Sequence, residues 1–247
     1  MVLNRSNWST AAGIDRGIRT FGMTSEAEAL EMPMDSIKSL EKKLSKEQRK
    51  LSRKTKGSKN FGKQRVCVAR LHQKIVNVRK DSLHKLSHGV AKSHSFVVLE
   101  DLKIKNMTAS SSGTLEEPGK MVKQKSGLNR SILRQGWHEF ERQLAYKLLW
   151  SGGELVKVPA HYTSQTCPEC GHVAKENRKN ENFNCVSCGH SGHADVVGAR
   201  NILERGHRLS VCGEVVPRAS KKLALKKTSV KQKPKQGASL ASATSVA

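Results

Sequence analysis

Two copies of one short motif constrain this chain more than anything else in it. Cys167-Pro168-Glu169-Cys170-Gly171-His172 and Cys185-Val186-Ser187-Cys188-Gly189-His190 are the same knuckle, with 14 residues between Cys170 and Cys185. A Cys-x-x-Cys turn places two thiolates on one side of a tight loop, and the following glycine permits the left-handed backbone that aims amides at sulfur. Two such turns supply the tetrahedral thiolate set of a closed zinc site. The spacer is slightly shorter than the usual ~15–20 residues, and a short hairpin spans it. A redox dithiol pair or disulfides are the competing reading. Against them stand the duplication and the first ten residues, Met1 to Thr10, which hold a single Arg and no apolar h-region; the expected compartment is reducing. His172, His190 and His193 lie nearby, but four thiolates already complete the shell. The expectation is one structural zinc per chain, with no open position for a reacting water. Cys67 and Cys212 stand alone and read as small hydrophobes packed in a core.

The rest of the composition points to a polyanionic partner. Hydrophobic residues make up 36% of the 247 residues and the formal net charge is +24. The core is therefore lean, and so large a cationic excess repels itself unless a phosphate backbone meets it and counterion release drives binding. An anionic lipid surface is the other polyanion available. The chain has no apolar run of ~18 residues and no amphipathic helix with an aromatic face at either end, so a membrane partner is not expected. The length suits one α/β core with a small appended module.

Periodicity supplies the elements. The run Ala11 to Asp15 reads as a short strand ending in a carboxylate, with a second strand over Arg16 to Phe21 joined tightly at Gly17. From Asp35, a plausible N-cap, Ile37, Leu40, Leu44 and Leu51 share a helical face. Gly57 to Gly62 breaks the run, and Val68, Leu71, Ile75, Val78, Leu86 and Val90 continue it. Residues 35–94 are thus an antiparallel helical hairpin. Between Lys38 and Lys80 it carries 16 Lys/Arg against two acids, Glu41 and Glu47. That imbalance marks a cationic rail rather than a mixed solubilising surface, with Lys42, Lys43, Arg49, Lys50, Arg53 and Lys54 as candidate nucleic-acid-binding residues. Ser95 to Glu100 is a buried strand ending in an acid. Residues 103–130 lack periodicity and read as a flexible connection. Leu133, Trp137, Phe140, Leu144 and Leu148 form one apolar helical stripe ending at Gly152-Gly153, and Leu155 to Val158 is a strand. Asp195 opens a helix that closes at Gly206. From Arg218 the chain reads as a disordered basic tail.

Three acids occupy positions where catalytic carboxylates would sit. Asp15 follows a strand, Glu100 ends the strongest strand, and Asp195 heads a helix just beyond the cysteine module. Acids at the ends of buried elements are costly unless cations meet them, and a pair of Mg²⁺ ions needs a cluster of hard oxygen ligands.

These segments in this order resemble the OrfB/TnpB proteins of insertion sequences, relatives of the type V CRISPR effector nucleases. Gly13-Ile14-Asp15-Arg16-Gly17-Ile18 is similar to the family's first RuvC motif and Leu99-Glu100-Asp101-Leu102 to its second. Leu51 to Lys54, Gly57 to Asn60 and Ala69 to His72 are similar to its basic hairpin. Thr163 to Cys188 resembles its zinc ribbon, and His193 to Leu203 its third RuvC motif, with Val197-Gly198 where many members have Asn-Ala. The resemblance implies an α/β, RNase H-like (RuvC) mixed sheet with the helical hairpin inserted and a four-cysteine ribbon attached. It further implies that Asp15, Glu100 and Asp195 bind two Mg²⁺ and hydrolyse DNA, directed by a transposon-derived guide RNA that reads the target by base pairing. The implied setting is the nucleoid region of a prokaryotic cytoplasm.

The expected division is a nuclease core over 1–160, the ribbon over 161–192, a final RuvC segment over 193–217 and the tail over 218–247. Only 14 residues precede Asp15, where the family usually carries a wedge-like β domain and a helical recognition domain. The expectation is therefore a truncated or misannotated reading frame. A catalytically inactive DNA- or RNA-binding remnant, or a repressor-like protein, is the alternative function. A basic zinc-ribbon protein of the translation machinery would leave the three acids unexplained.

Overall fold

The computed structural model describes residues 10–114 and 116–212. Strand β1 (Ala11–Asp15) is followed by β2 (Gly22–Thr24) and β3 (Ala29–Leu30), then by the helical hairpin α1 (Met34–Ser52) and α2 (Lys59–Ser93). After it come β4 (Phe96–Glu100), the short α3 (Ile104–Met107), α4 (Val122–Gln135), α5 (Trp137–Trp150) and β5 (Glu154–Val158). The cysteine module contributes β6 (Arg178–Lys179), β7 (Asn182–Asn184) and β8 (Ser191–His193), and α6 (Ala194–Cys212) closes the described chain.

The main sheet has the order β3-β2-β1-β4-β5, with β1, β4 and β5 parallel and β2 antiparallel to β1. It is the mixed sheet that the resemblance implies. Side chains alternate across a strand, and here the alternation assigns the layers. Ile14, Val97 and Leu99 join the core formed with the hairpin and α5, whereas Phe96, Val98 and Val158 pack with Ile202 of α6 on the opposite face. Asp15 shares the parity of Gly13, and Glu100 that of Phe96 and Val98. Both acids therefore lie on the α6 face, at the carboxyl ends of adjacent parallel strands.

The hairpin forms as its apolar spacing predicts. Ile37, Leu40 and Leu44 of α1 are buried with Val68, Ile75, Leu83 and Val90 of α2. Ser58 caps α2 by accepting from the Phe61 amide at 3.1 Å, a contact of the usual N-cap kind.

Several expectations are corrected. Residues 16–21 are a turn, not a strand: the Gly17 amide donates to the Phe21 carbonyl at 3.2 Å, and the second strand begins at Gly22. Helix α1 starts at Met34 with Pro33 before it, so Asp35 lies in the first turn rather than at the cap. Residues 103–130 are not a structureless connection. They hold α3 and most of α4, which is anchored by polar bonds that leave no apolar period: Lys125 Nζ donates to the Met107 carbonyl at 2.6 Å, and Asn129 Nδ2 to the Thr108 carbonyl at 2.9 Å. The stripe from Leu133 to Leu148 is two helices, because Gly136 at φ 75° turns the chain between them; Leu133 is exposed and Ile132 is buried instead. Cys67 is exposed on α2, where Val68 takes the buried position. Helix α6 runs past Gly206 to Cys212, whose side chain, like the 218–247 tail, lies outside the described residues.

The reason α6 does not stop at Gly206 is packing. A Cβ there would lie 2.3 Å from Val98 Cγ2, and one on Gly13 would lie 2.1 Å from the Ala199 carbonyl oxygen. Both glycines mark places where helix and sheet touch with no room for a side chain. Gly13→Ala must push α6 away from β1, and we expect a loss of about 2–3 kcal/mol of stability, the range of an overpacked core. Denaturant unfolding checks this; a loss below about 0.5 kcal/mol, the scatter of neutral surface changes, would show that the contact is not tight.

Candidate functional site

The close approach of α6 brings its first turn to the strand ends, so that Asp195 joins Asp15 and Glu100. The three acids, far apart in sequence, interact electrostatically in the fold. Burial pushes the Asp15 carboxyl up to about 7, and the neighbouring charges of Glu100 and Asp195 push in the same direction. Arg178 and Arg16 oppose the shift without cancelling it. Burial also raises the Glu100 carboxyl, against a hydrogen bond from Thr163. Gly198, one turn after Asp195, faces the same carboxylate: a Cβ there would lie 2.8 Å from Asp15 Oδ2. The glycine in place of Ala thus lets the Asp15 carboxylate pack directly against α6, where a methyl group would crowd it.

Two of the three acids are held on one side. Thr163 Oγ1 donates to Glu100 Oε1 at 2.6 Å, and Arg178 Nη2 donates to Asp195 Oδ1 at 2.7 Å. Thr163 sits on the loop after β5, which α6 fastens: Asn201 Nδ2 donates to the Thr163 and Thr166 carbonyls at 2.7 and 2.8 Å, and Arg205 Nη1 to the Pro159 carbonyl at 3.0 Å. Arg16 has the opposite parity to Asp15 and runs beneath the site toward α5. It is buried, donates to the Glu100 main-chain carbonyl, and lies 3.6 Å from Glu141, which also pairs with Lys157 at 2.9 Å. A cleft of about 430 Å³ opens beside Asp195, lined by the 17–20 turn together with Arg178, Glu181 and His193 of the cysteine module.

The sequence reading did not single out Arg16, Thr163, Arg178 or Asn201. Arg16, Thr163 and Asn201 lie inside the recognised motifs, yet only the fold shows what they touch. Arg178 carried no local signal, since an arginine in a polar hairpin reads as solvated.

The four cysteines are brought together. The sulfurs of Cys167, Cys170, Cys185 and Cys188 all lie within 4.8 Å of one another. Tetrahedral zinc with Zn–S bonds of about 2.3 Å places sulfurs about 3.8 Å apart, so the cluster fits the ion with little adjustment. Both knuckles close identically: the Cys167 amide donates to the His172 carbonyl at 2.9 Å and the Cys185 amide to that of His190 at 2.8 Å, with Gly171 and Gly189 at φ 73° and 76°. The Cys188 amide lowers the Cys185 thiol, while the crowding of the other three sulfurs pushes the Cys188 thiol up. Asn177 ties the halves together. Fully buried, it donates to the Gln165 and His172 carbonyls and accepts from the Val186 amide at 3.0 Å.

On the hairpin, Lys42, Lys43, Arg49, Lys50 and Arg53 are exposed and Lys54 is half-buried. Both acids of the rail are engaged internally. Glu47 accepts from Lys50 at 2.8 Å and Gln64 at 2.6 Å, and Glu41 accepts from Arg134. The described residues include no helix long and apolar enough to cross a membrane.

Fold and site together define a class: a RuvC-like α/β core with a four-cysteine module docked beside three carboxylates. Residues 3–111 match the OrfB_IS605 family model, described as "Probable transposase", and residues 137–202 match "Cas12f1-like, TNB domain". The two matches take in more than half of the chain, which belongs to the OrfB/TnpB family of insertion-sequence transposases. It is 50% identical over 209 residues, 84% of its length, to the "Putative RNA-guided DNA endonuclease InsQ" of Escherichia coli (strain K12), covering 52% of that protein. A "Putative RNA-guided DNA endonuclease" of Streptomyces pristinaespiralis is 34% identical over 92% of the chain and 53% of the relative. The chain thus spans about half the length of these curated relatives. Its fold resembles a chain of the cryo-EM structure of the Cas12f1-sgRNA-target DNA complex, with a TM-score of 0.51 at 22% identity over 78% of this chain and 49% of that one.

Two outcomes are expected. The intact protein is expected to bind one zinc and Cys185→Ser to lose it, because for so small a module metal binding is folding energy. Elemental analysis reads this directly, and unchanged zinc would refute the ligand set. The second concerns Asp15. Its carboxyl titrates higher folded than unfolded, so in metal-free protein its ionisation disfavours the fold. The stability is intact below about pH 4 and is lost as pH rises through about 7. With Glu100, Asp195, Arg16 and Arg178 unchanged, Asp15→Asn removes that penalty. Without added Mg²⁺ at pH 8 the variant should be more stable by about 2–4 kcal/mol, converging with wild type near pH 4. A variant no more stable than wild type at pH 8 would mean that Asp15 is not under this strain.

Proposed function

We propose that this chain is the nuclease portion of a transposon-encoded, RNA-guided DNA endonuclease, in which Asp15, Glu100 and Asp195 hold two Mg²⁺ ions. The observation that carries the reading is the convergence of three acids, from two strand ends and a helix start, where burial and mutual repulsion raise Asp15 to about 7. Hard carboxylate oxygens are the donor set that Mg²⁺ takes. The pairing of Thr163 with one oxygen of Glu100, and of Arg178 with one oxygen of Asp195, leaves each acid a second oxygen for an ion. When bound, a metal pair supplies an activated water and stabilises the leaving oxygen of a phosphodiester.

The residues of the chain contribute placement. Thr163 fixes the rotation of the Glu100 carboxylate, Arg16 holds the β4 end from below, and Asn201 and Arg205 keep the Thr163 loop against α6. The cleft beside Asp195 admits a strand from the side of the cysteine module, where Arg178 offers a guanidinium to phosphate. The zinc in this reading is structural. The exposed cations of the rail, Lys42, Lys43, Arg49, Lys50 and Arg53 with Lys54, hold nucleic-acid backbone, and base pairing by a guide RNA selects the DNA target.

Hydrolysis and targeting are separable tasks. The first needs the acids and a positioned strand; the second needs the duplex to be opened and paired with a guide. Purified protein with Mg²⁺ is expected to cut labelled single-stranded DNA slowly and a guide-matched duplex poorly, with Asp15→Ala and Glu100→Ala each at least about 100-fold slower, as for loss of a group on which the chemistry depends. Wild-type cleavage no faster than either variant would sink the nuclease reading and leave a nucleic-acid binder. Efficient cutting of the guide-matched duplex would show that this length of chain suffices for targeting.

A further inference from the structure

Helix α4 was invisible to periodicity, and its position beside the hairpin creates a feature that the nuclease reading does not use. Where α1, α2 and α4 meet, an open groove of about 430 Å³ is lined by Glu41, Arg79, Asn129, Arg130, Leu133 and Arg134. Three guanidinium groups from two helices thus surround a single carboxylate, leaving two positive charges in excess. Glu41 orients two of the three. It takes Arg134 in a two-pronged contact, Nε at 3.1 Å and Nη2 at 2.6 Å, and lies 4.0 Å from Arg79 Nη2. Neither arginine is used up: the contacts of Arg134 leave Nη1, and Arg79 Nη2, at 4.0 Å from Glu41 on a partly exposed side chain, is beyond hydrogen-bond distance. Arg130 is exposed on the rim, as is Leu133 at 58%. The floor is rigid, because Asn129 and Lys125 bolt α4 to the carbonyls of residues 107–109.

An arrangement built only to hold α4 against the hairpin would need one arginine for one glutamate. Arg130 is open to solvent and Arg79 and Arg134 are partly exposed and held in direction by Glu41, an arrangement in which planar guanidinium groups can meet phosphate oxygens. Leu133 adds an apolar edge on which a sugar or base can rest. We infer that this groove is a phosphodiester-backbone subsite, continuous with the cationic rail of α1, in which Arg79, Arg130 and Arg134 receive nucleic-acid phosphate and Glu41 sets their orientation. The inference rests on nucleic acid being the partner, and not on the three acids being catalytic.

Fluorescence anisotropy of labelled oligonucleotides across a salt series, with the full chain and zinc present, tests it. Single-stranded RNA, single-stranded DNA and duplex DNA form separate arms, and inorganic phosphate is added as competitor. Arg130→Gln, on an exposed position that leaves the fold intact, should weaken binding about fivefold at low salt and reduce the slope of log affinity against log salt by about 0.7–0.9. Glu41→Gln separates an oriented site from a merely positive one. It adds to the net charge, so simple electrostatics tightens binding, whereas loss of orientation loosens it about threefold or more, an effect of the size of one exposed ionic contact. Unaltered affinity and slope in Arg130→Gln would overturn the inference, as would tighter binding by Glu41→Gln whose melting is unchanged. Displacement of the oligonucleotide by millimolar phosphate would also overturn it, assigning the groove to the free anion. If wild type binds none of the three nucleic acids, the nucleic-acid reading itself fails, an outcome distinct from failure of the groove alone.

Discussion

Helix α6 rests on the sheet through glycine, and the candidate site exists because of that contact. At Gly13 the backbone of β1 meets the backbone of α6, and at Gly206 the helix meets Val98, each too closely for a methyl group. Were α6 held at an ordinary helix-to-sheet distance, Asp195 would lie away from the strand ends, and Asn201 would not reach the Thr163 and Thr166 carbonyls. The loop that presents Thr163 to Glu100 would then lose its anchor. One steric condition, small residues at the helix-sheet crossing, therefore places the third acid, orients the second and lets the first pack against α6 at Gly198.

Bringing three carboxylates together has an electrostatic consequence that the surrounding charges only partly offset. Arg16 is buried below Asp15 and Glu100, with Nε and Nη1 lacking hydrogen-bond partners among the described residues. A buried cation with unmet donors is a poor choice for stability alone. Its burial is intelligible as a fixed counter-charge to the acids above it, shared with Glu141 and, through that residue, with Lys157. Arg178 supplies the other counter-charge from the cysteine module. The module is thus more than an appendage: its fold is set by two knuckles and the Asn177 hub, and its first strand delivers a guanidinium to the third acid of the core.

The hairpin shows the same economy of acids. Glu47 pairs with Lys50 on its own helix and braces the two helices through Gln64, and Glu41 joins the hairpin to α4 through Arg134. With both carboxylates paired, the exposed faces of α1 and α2 keep a cationic excess, 16 Lys/Arg against two acids between Lys38 and Lys80.

Sequence alone determined what depends on local chemistry and period. The two knuckles dictate a four-thiolate site because the spacing within each loop fixes where its sulfurs point. The buried run Phe96 to Glu100, the strand Ala11 to Asp15 and the long hairpin follow from apolar periods of two and of three to four. The order of the motifs gave the family and, with it, the three acids. Tertiary structure decided what depends on contacts distant in sequence. Helix α4 is held by polar bonds to residues 107–109 and leaves no hydrophobic period to read. Gly206 looks like a helix end and is instead a packing surface, while Cys67 looks like core and faces solvent because Val68 beside it takes the inward position. Which arginines of so basic a chain matter could not be read from composition: Arg16, Arg178 and Arg134 stand out because the fold, not the sequence, brings an acid to each. A local pattern records the energy of neighbours along the chain, whereas a buried charge is set by neighbours across it.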